Sequence, residues 1–201
     1  MNEDQLKQQL NKMTAPSAKQ TSKSREVVWQ WFTKTAPLIR WDVIASPLGA
    51  LYIALTDEGL CNLDFAVAEE HFLQHIDPMA RTERDSKDTK KIAGQLEDYF
   101  AGKRTAFDLP LDLSRVTTFQ YHVLRTTQTI PAGTMWTYGQ VAKAIGKPKA
   151  SRAVGQALGR NPVPIVVPCH RVVASNGQLG GYSGGGGVES KKLLLRLENA
   201  L

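Results

Sequence analysis

The stretch Asn161-Pro162-Val163-Pro164-Ile165-Val166-Val167-Pro168-Cys169-His170-Arg171-Val172 constrains this chain more than any other. Its apolar run, Ile165 to Val167, reads as a buried strand or extended segment. Pro168 closes the run, because a residue with no amide hydrogen and a fixed φ forces a turn. The next side chain is a thiol, so Cys169 is presented at the end of a stiff support. A thiol attacks only as its thiolate. His170 supplies a base, directly or through a water, and a carboxylate elsewhere would orient the imidazole. A lone cysteine among valines is more often a small core residue, so this stretch alone leaves both readings open.

Taken whole, Asn-Pro-Val-Pro, an apolar triplet and Pro-Cys-His-Arg-Val resemble the signature block of the O6-alkylguanine-DNA alkyltransferase family. The resemblance runs from about Phe119 to Glu198 and more weakly back to about Ile39. It implies an α/β protein, with an N-terminal RNase H-like α/β domain carrying an antiparallel sheet. A mainly helical, winged helix-turn-helix-like C-terminal domain would follow. The implied activity is direct-reversal DNA repair. A methyl or small alkyl group leaves O6 of guanine (or O4 of thymine) for Cys169 once, after the base is flipped out. The protein itself is the acceptor, so no cofactor and no metal are expected. The implied partner is double-stranded DNA containing O6-alkylguanine, met by a monomer.

With 201 residues the chain holds one large or two small domains. No run approaches the roughly 18 apolar residues of a membrane span. Met1 to Ser24 is polar and lacks a signal-peptide core, so a cytoplasmic protein is expected, or a nuclear one in a cell with a nucleus. Two cysteines, Cys61 and Cys169, make neither a disulfide framework nor a zinc cluster. Charge is unevenly spread: Leu113 to Leu201 carries eleven basic and two acidic residues, and the remainder fourteen and seventeen. A basic half joined to a slightly acidic half suits one face turned to a polyanion.

In order along the chain, residues 1–24 read as a mobile arm, 25–112 as the α/β domain and 113–201 as the DNA-binding, alkyl-accepting domain. Val27, Val28, Trp29, Trp31 and Phe32 are too apolar to stay in water. Ile39, Trp41, Val43 and Ala45, then Leu51, Ile53 and Leu55, then Cys61, Leu63 and Phe65 follow a period of two. Pro47-Leu48-Gly49 and Asp57-Glu58-Gly59 separate them, which predicts three antiparallel strands with Cys61 on the face of Leu63 and Phe65. His71 and His75 are one helical turn apart with no further ligand nearby and read as surface residues. Ile92, Leu96, Tyr99 and Phe100 predict an amphipathic helix over the sheet, ended by Gly102. Thr105 to Ser114 reads as extended structure and linker, and Phe119, Val123 and Leu124 as a helix face.

Two short helices, Tyr138 to Ile145 and one beginning near Ser151, flank Gly146-Lys147-Pro148-Lys149. That pattern fits a helix-turn-helix or a plain helical hairpin. The second helix puts Ser151, Gly155 and Gly159 on one stripe, and an interior glycine costs roughly 1 kcal/mol relative to alanine. A helix that keeps Gly155 is shaped for close approach. The resemblance assigns DNA contact to Tyr138, Ser151, Arg152, Ala153 and Gly155. In it, Arg152 fills the gap left by the flipped nucleotide and Tyr138 helps rotate the phosphate. It assigns the guanine pocket to Tyr138, Leu158, Leu179, Tyr182 and Ser183, with Pro164 beside the alkyl group. Asn161 holds the reactive turn, and Glu198, at the end of Lys-x-x-Leu-Leu-x-x-Glu, backs His170. One departure is the two extra residues in Gly184-Gly185-Gly186-Gly187-Val188, where four glycines predict a loop of unusual freedom. The competing expectations are a non-catalytic alkyltransferase-like sensor of damaged DNA, a helix-turn-helix regulator, and a Cys-His hydrolase. The presence of Cys169 argues against the sensor. The regulator would need a cysteine-rich zinc region, and the hydrolase an oxyanion site and repeated turnover.

Overall fold

The structure, a computed structural model, describes residues 35–182 and 184–201. The expected arm, the apolar segment Arg25 to Phe32 and the pocket candidate Ser183 lie outside the described residues. The three alternating stretches form β1 (Leu38–Ser46), β2 (Gly49–Thr56) and β3 (Gly59–Phe65), antiparallel neighbours in that order. A fourth strand, β4 (Arg81–Arg84), pairs parallel with β1, giving the order β3-β2-β1-β4. The sheet is therefore mixed rather than purely antiparallel. Arg-Thr-Glu-Arg has no apolar alternation, so this edge strand leaves no periodic trace in the sequence.

Both sheet faces are covered. Helix α1 (Glu69–His75) buries Phe72 against Trp41 and stacks it on Tyr52, ring centroids 5.1 Å apart. Helix α2 (Ser86–Phe100) places Ile92, Leu96 and Tyr99 in the cluster holding Leu51, Ile53, Leu63 and Phe65. Asp85 caps α2 by accepting from the Lys87 and Asp88 amides, and Gly102 follows its end at φ 71°. Cys61 departs from its expected face. A register shift between Ala54 and Leu55 leaves Cys61 out of the paired positions of β3, and it packs with the Trp41 and Phe72 cluster, opposite Leu63 and Phe65. One extra residue in a strand breaks the two-residue alternation beyond it. His71 and His75 are exposed, as expected, with rings stacked at 4.0 Å.

The edge of β3 is closed from two directions. The Leu60 amide donates to Pro110 O at 2.9 Å, and the Leu63 amide donates to Pro162 O at 2.8 Å. Thr105 to Ser114 is thus a linker that runs along the sheet, and Pro162 ties the reactive stretch to it. Covering an edge this way protects it from pairing with another chain. Glycine is required at 59, where a Cβ would lie 2.4 Å from Pro110 O.

The helical half comprises α3 (Thr118–Gln128), β5 (Trp136–Thr137), α4 (Tyr138–Ala144), α5 (Ser151–Leu158), β6 (Val172–Val173) and α6 (Gly187–Leu197). Thr137 and Gln140 close a reciprocal cap at the start of α4, and Gly146 at φ 73° turns the chain toward α5. Val123, Val141, Val154, Leu158, Val163 and Leu194 share one hydrophobic cluster with Leu51 and Phe65, so the sheet and the helical half form a continuous core. Among the described residues, no helix is long and apolar enough to cross a membrane.

Candidate functional site

The reactive stretch is a folded-back turn, not the strand or extended segment its apolar run suggests. Val163 O accepts from the Val167 amide at 2.9 Å, and Ile165 sits at φ 74°. A β-branched residue in that region costs on the order of 1–3 kcal/mol and persists only where its surroundings enforce it. Asn161 is the staple. Its Oδ1 accepts from the Val163 amide at 3.1 Å, while Nδ2 donates to Val167 O at 2.9 Å and to Cys169 Sγ at 3.2 Å. One amide thereby fixes both the turn and the sulfur. Cys169 opens a single 3₁₀ turn, Cys169–Arg171, and is buried.

Burial raises the Cys169 thiol above its ordinary value, opposed by the Asn161 amide and the Lys191 charge. At rest the sulfur is therefore protonated and needs a base. His170 is fully buried, and burial lowers its basicity despite Glu198, so the ring is neutral at pH 7. Its Nε2 lies 2.9 Å from Glu198 Oε1. An ionised carboxylate only accepts, so Nε2 carries the proton and Nδ1 the lone pair. That Nδ1 is buried with no hydrogen-bond partner among the described residues. The tautomer is the one a proton acceptor needs.

Glu198 caps α6 and is gripped from three sides. Arg171 donates through Nε to Oε2 and through Nη2 to Oε1, both at 2.8 Å, and Tyr99 OH donates to Oε1 at 2.7 Å. Burial alone would raise the carboxyl, but hydrogen bonds from His170, Arg171 and Tyr99 outweigh it and hold Glu198 at about 2. A depressed carboxyl stabilises the fold above its unfolded value near 4.5, and the contribution is lost as pH falls from there toward 2. Acid unfolding followed by circular dichroism is expected to show a stability decline over that window, and Glu198→Gln should flatten it.

Around the sulfur, Tyr138, Gly155, Leu158, Gly159, Cys169, Gly181 and Tyr182 enclose a cavity of 390 Å³. Helix α4 delivers Tyr138 and α5 delivers Gly155 and Leu158, so the two helices of the turn-linked pair form one wall. The Tyr182 hydroxyl is buried beside the Cys169 sulfur, and burial together with that sulfur holds its proton on well above the ordinary tyrosine value. Leu179 does not line this cavity, and its carbonyl accepts from Lys191 Nζ at 2.5 Å. A larger cleft of 520 Å³ is lined by Cys61, His75, Asp112 and Arg160. Burial, with Asp112, pushes the Cys61 thiol up to about 12 and its Sγ donates to Ala54 O, so it is no nucleophile. The smaller cavity is the reactive one.

Arg152 is exposed on α5, with Ser151, Ala153 and Gly155 half-buried along the same helix. Lys143, Lys147 and Lys149 are exposed around the turn before it, which puts positive charge where the pair of helices faces outward. Pro164 is buried within the reactive turn and does not line the cavity. The glycine loop differs from expectation. A Cβ at Gly184 would meet Phe65 at 2.7 Å, at Gly185 would lie 1.6 Å from Phe65 O, and at Gly186 would lie 2.3 Å from Ser190 Oγ. Gly184 and Gly185 thus serve close approach to the end of β3, and Gly186 to the first turn of α6, whereas a Cβ at Gly187 would meet nothing. Gly186 and Gly187, at φ 75° and 58°, also start α6 earlier than its leucine pattern indicates.

Three contributors carry little signal in the sequence. Arg171 looks like one more basic residue, and Tyr99 like one more core aromatic. Lys191 is fully buried, donating to Val172 O at 2.6 Å and to Leu179 O. Burial lowers it to about 8, with the Cys169 charge acting the other way. Its trace is the stripe Lys191, Leu194, Leu195, Glu198 at i, i+3, i+4, i+7, where two charged residues share the core-facing side of α6.

Residues 39–113 match the family described as 6-O-methylguanine DNA methyltransferase, ribonuclease-like domain, and residues 118–200 match its DNA binding domain. The chain is 42% identical to a methylated-DNA–protein-cysteine methyltransferase of Methanosarcina barkeri over 79% of this chain and 96% of that one. It is equally similar, at 42%, to one of Mycolicibacterium paratuberculosis, covering 80% and 93%. Among solved structures it resembles the Mycobacterium tuberculosis OGT in complex with DNA, with 41% identity, TM-score 0.68 and coverage of 81% and 93%. The O6-methylguanine-DNA methyltransferase of Pyrococcus kodakaraensis is more distant, at 28% identity, TM-score 0.57 and coverage of 80% and 98%.

Proposed function

Because this chain belongs to the 6-O-methylguanine DNA methyltransferase family, we propose that it repairs DNA by moving an alkyl group from O6 of guanine to Cys169. The observation that carries the reading is the buried thiol in the floor of a cavity walled by Tyr138, Gly155 and Tyr182, stapled by Asn161 and followed by the His170–Glu198 pair.

The alkylated oxygen lies on a base edge inside the stack, so the nucleotide must rotate out, at a cost of a few kcal/mol. Arg152, exposed on α5, plugs the gap, while Ser151, Ala153 and Gly155 let the helix approach the minor groove. Tyr138 meets the rotating phosphate, and with Leu158, the Leu179 backbone, Tyr182 and Ser183 it receives the purine. His170 Nδ1 takes the thiol proton, directly or through one water, leaving an imidazolium held by Glu198. The thiolate attacks the alkyl carbon in line. An S–C bond forms as the C–O6 bond breaks, and its electron pair stays on guanine. The buried Tyr182 hydroxyl, which keeps its proton well above the ordinary tyrosine value, donates to the anion that leaves. The thioether is not reversed, so each molecule acts once, without cofactor. Residues 113–201 do this work and the sheet-bearing half before them supports it; a monomer suffices.

The test is a titration. Duplex DNA carrying labelled O6-methylguanine should transfer label to protein until about one equivalent is bound, then stop. Binding without transfer would favour the sensor, and continued turnover would exclude a self-consumed acceptor.

Gly155 separates stability from function. An added Cβ would meet Tyr138 ring atoms at 3.7 and 3.8 Å, ordinary contact, so the fold has room for it. Gly155→Ala is expected to stabilise the protein by roughly 0.5–1 kcal/mol, the helix-propensity difference. The same methyl intrudes on the cavity and groove-facing surface, so transfer should slow. Denaturant melts and single-turnover rates should move in opposite directions.

A further inference from the structure

Glu198 meets a donor that the transfer chemistry does not require. Tyr99, on α2 of the sheet-bearing half, places its hydroxyl 2.7 Å from Glu198 Oε1, across 99 residues of sequence. Oε1 also receives His170 Nε2 at 2.9 Å and Arg171 Nη2 at 2.8 Å, whereas Oε2 receives only Arg171 Nε among the described residues. The tyrosine ring is itself locked, edge-on to Phe100 at 5.3 Å and tilted against Phe107 at 5.4 Å, and is 1% exposed.

We propose that Tyr99 is a positioning residue for alkyl transfer, holding Glu198 Oε1 on the line to His170 against the pull of Arg171. The inference rests on the reading of His170 as the acceptor of the thiol proton. Arg171 carries a full charge and grips both carboxylate oxygens as a fork, a geometry that is complete without the imidazole. That fork fixes the carboxylate relative to the guanidinium, but no part of it depends on where the weaker, neutral Nε2–H lies. The phenol supplies a fixed second direction. Burial, then the neighbouring Glu198 charge, hold its proton on far above pH 10, so the restraint persists wherever the protein is folded. A hydroxyl that needed only a partner could have used any backbone carbonyl. This one is spent on the sole carboxylate that touches His170 among the described residues.

The test is the pH dependence of single-turnover transfer in full-length wild type, Tyr99→Phe and His170→Gln, with DNA affinity and melting recorded for each. Phenylalanine keeps the ring and its packing. Thiolate reaches the reaction by two routes, proton transfer to His170 and ionisation by hydroxide, and only the first uses Glu198. Tyr99→Phe is therefore expected to slow transfer about tenfold near pH 6.5 and to close most of that gap by pH 9.5, at unchanged DNA affinity. His170→Gln should show the same shape with a larger deficit. If His170→Gln is slowed equally at every pH, the proton-transfer reading fails and the role of Tyr99 falls with it. If His170→Gln behaves as expected while Tyr99→Phe matches wild type, exceeds it, or is slowed uniformly across pH, Tyr99 is a core residue and only this inference is overturned.

Discussion

Cys169→Ser is expected to lower alkyl transfer by at least about 10⁴-fold, the scale of losing a catalytic nucleophile, while duplex affinity changes little. The two atoms differ less in size than in acidity. A serine hydroxyl at this position would still accept the Asn161 amide that now lies 3.2 Å from sulfur, and the cavity walls formed by Tyr138, Leu158 and Tyr182 are untouched. What disappears is an anion that His170 can generate. A neutral imidazole whose basicity burial has lowered moves a thiol proton far more readily than an alcohol proton. Labelled O6-methylguanine duplex, single-turnover conditions and a parallel binding measurement separate the two effects. Transfer surviving within tenfold would require another acceptor. Cys61 is the only other thiol, and it sits on the far sheet face with its proton held to about 12.

How much of this was written in the sequence depends on the range of each contact. Strands β1 to β3 follow from alternation and glycine turns, and α2 from its i, i+4, i+7 leucine and aromatic pattern, because period alone encodes a face. Cys61 escapes that rule, since one extra residue in β3 reverses the face without altering composition. Strand β4 escapes it too, because a polar edge strand has no apolar period. The reactive block announces Cys169, His170 and Asn161 within ten residues. Its backbone path does not: Ile165 in the left-handed region is enforced by Asn161 and by the Pro162 contact with β3. The glycine loop shows the same limit. Four glycines in a row look like freedom, and only the position of Phe65, more than a hundred residues earlier, makes the first two, Gly184 and Gly185, a tight fit. Arg171 and Tyr99 converge on Glu198 from 27 and 99 residues away, and no local pattern specifies such a meeting.

That convergence makes Glu198→Ala the most damaging single change expected for the fold. The side chain is 1% exposed, and it is the carboxylate opposite Arg171, itself 5% exposed. Removing one partner of a buried pair leaves the other charge unsolvated, typically at about 3–5 kcal/mol. Arg171 would keep its carbonyl acceptors, Ile130 O and Thr105 O, but these are dipoles and do not replace a charge. Transfer should fall as well, so a melt and a rate measured on this variant alone cannot tell fold from chemistry. The double variant Arg171→Met/Glu198→Met can. Replacing both ions by apolar side chains removes the unpaired charge, and such exchanges are often neutral or stabilising by about 1–4 kcal/mol. Here two carbonyls, the Tyr99 hydroxyl and the His170 Nε2–H lose partners, so partial recovery of stability is the expected result. The proton path through His170 has no carboxylate behind it in either variant, so transfer near neutral pH should remain slow while the melt recovers. Recovery of both together would mean that Glu198 acts only by balancing Arg171. Recovery of neither would mean that the four donors around it, not the charge, hold this end of the core together.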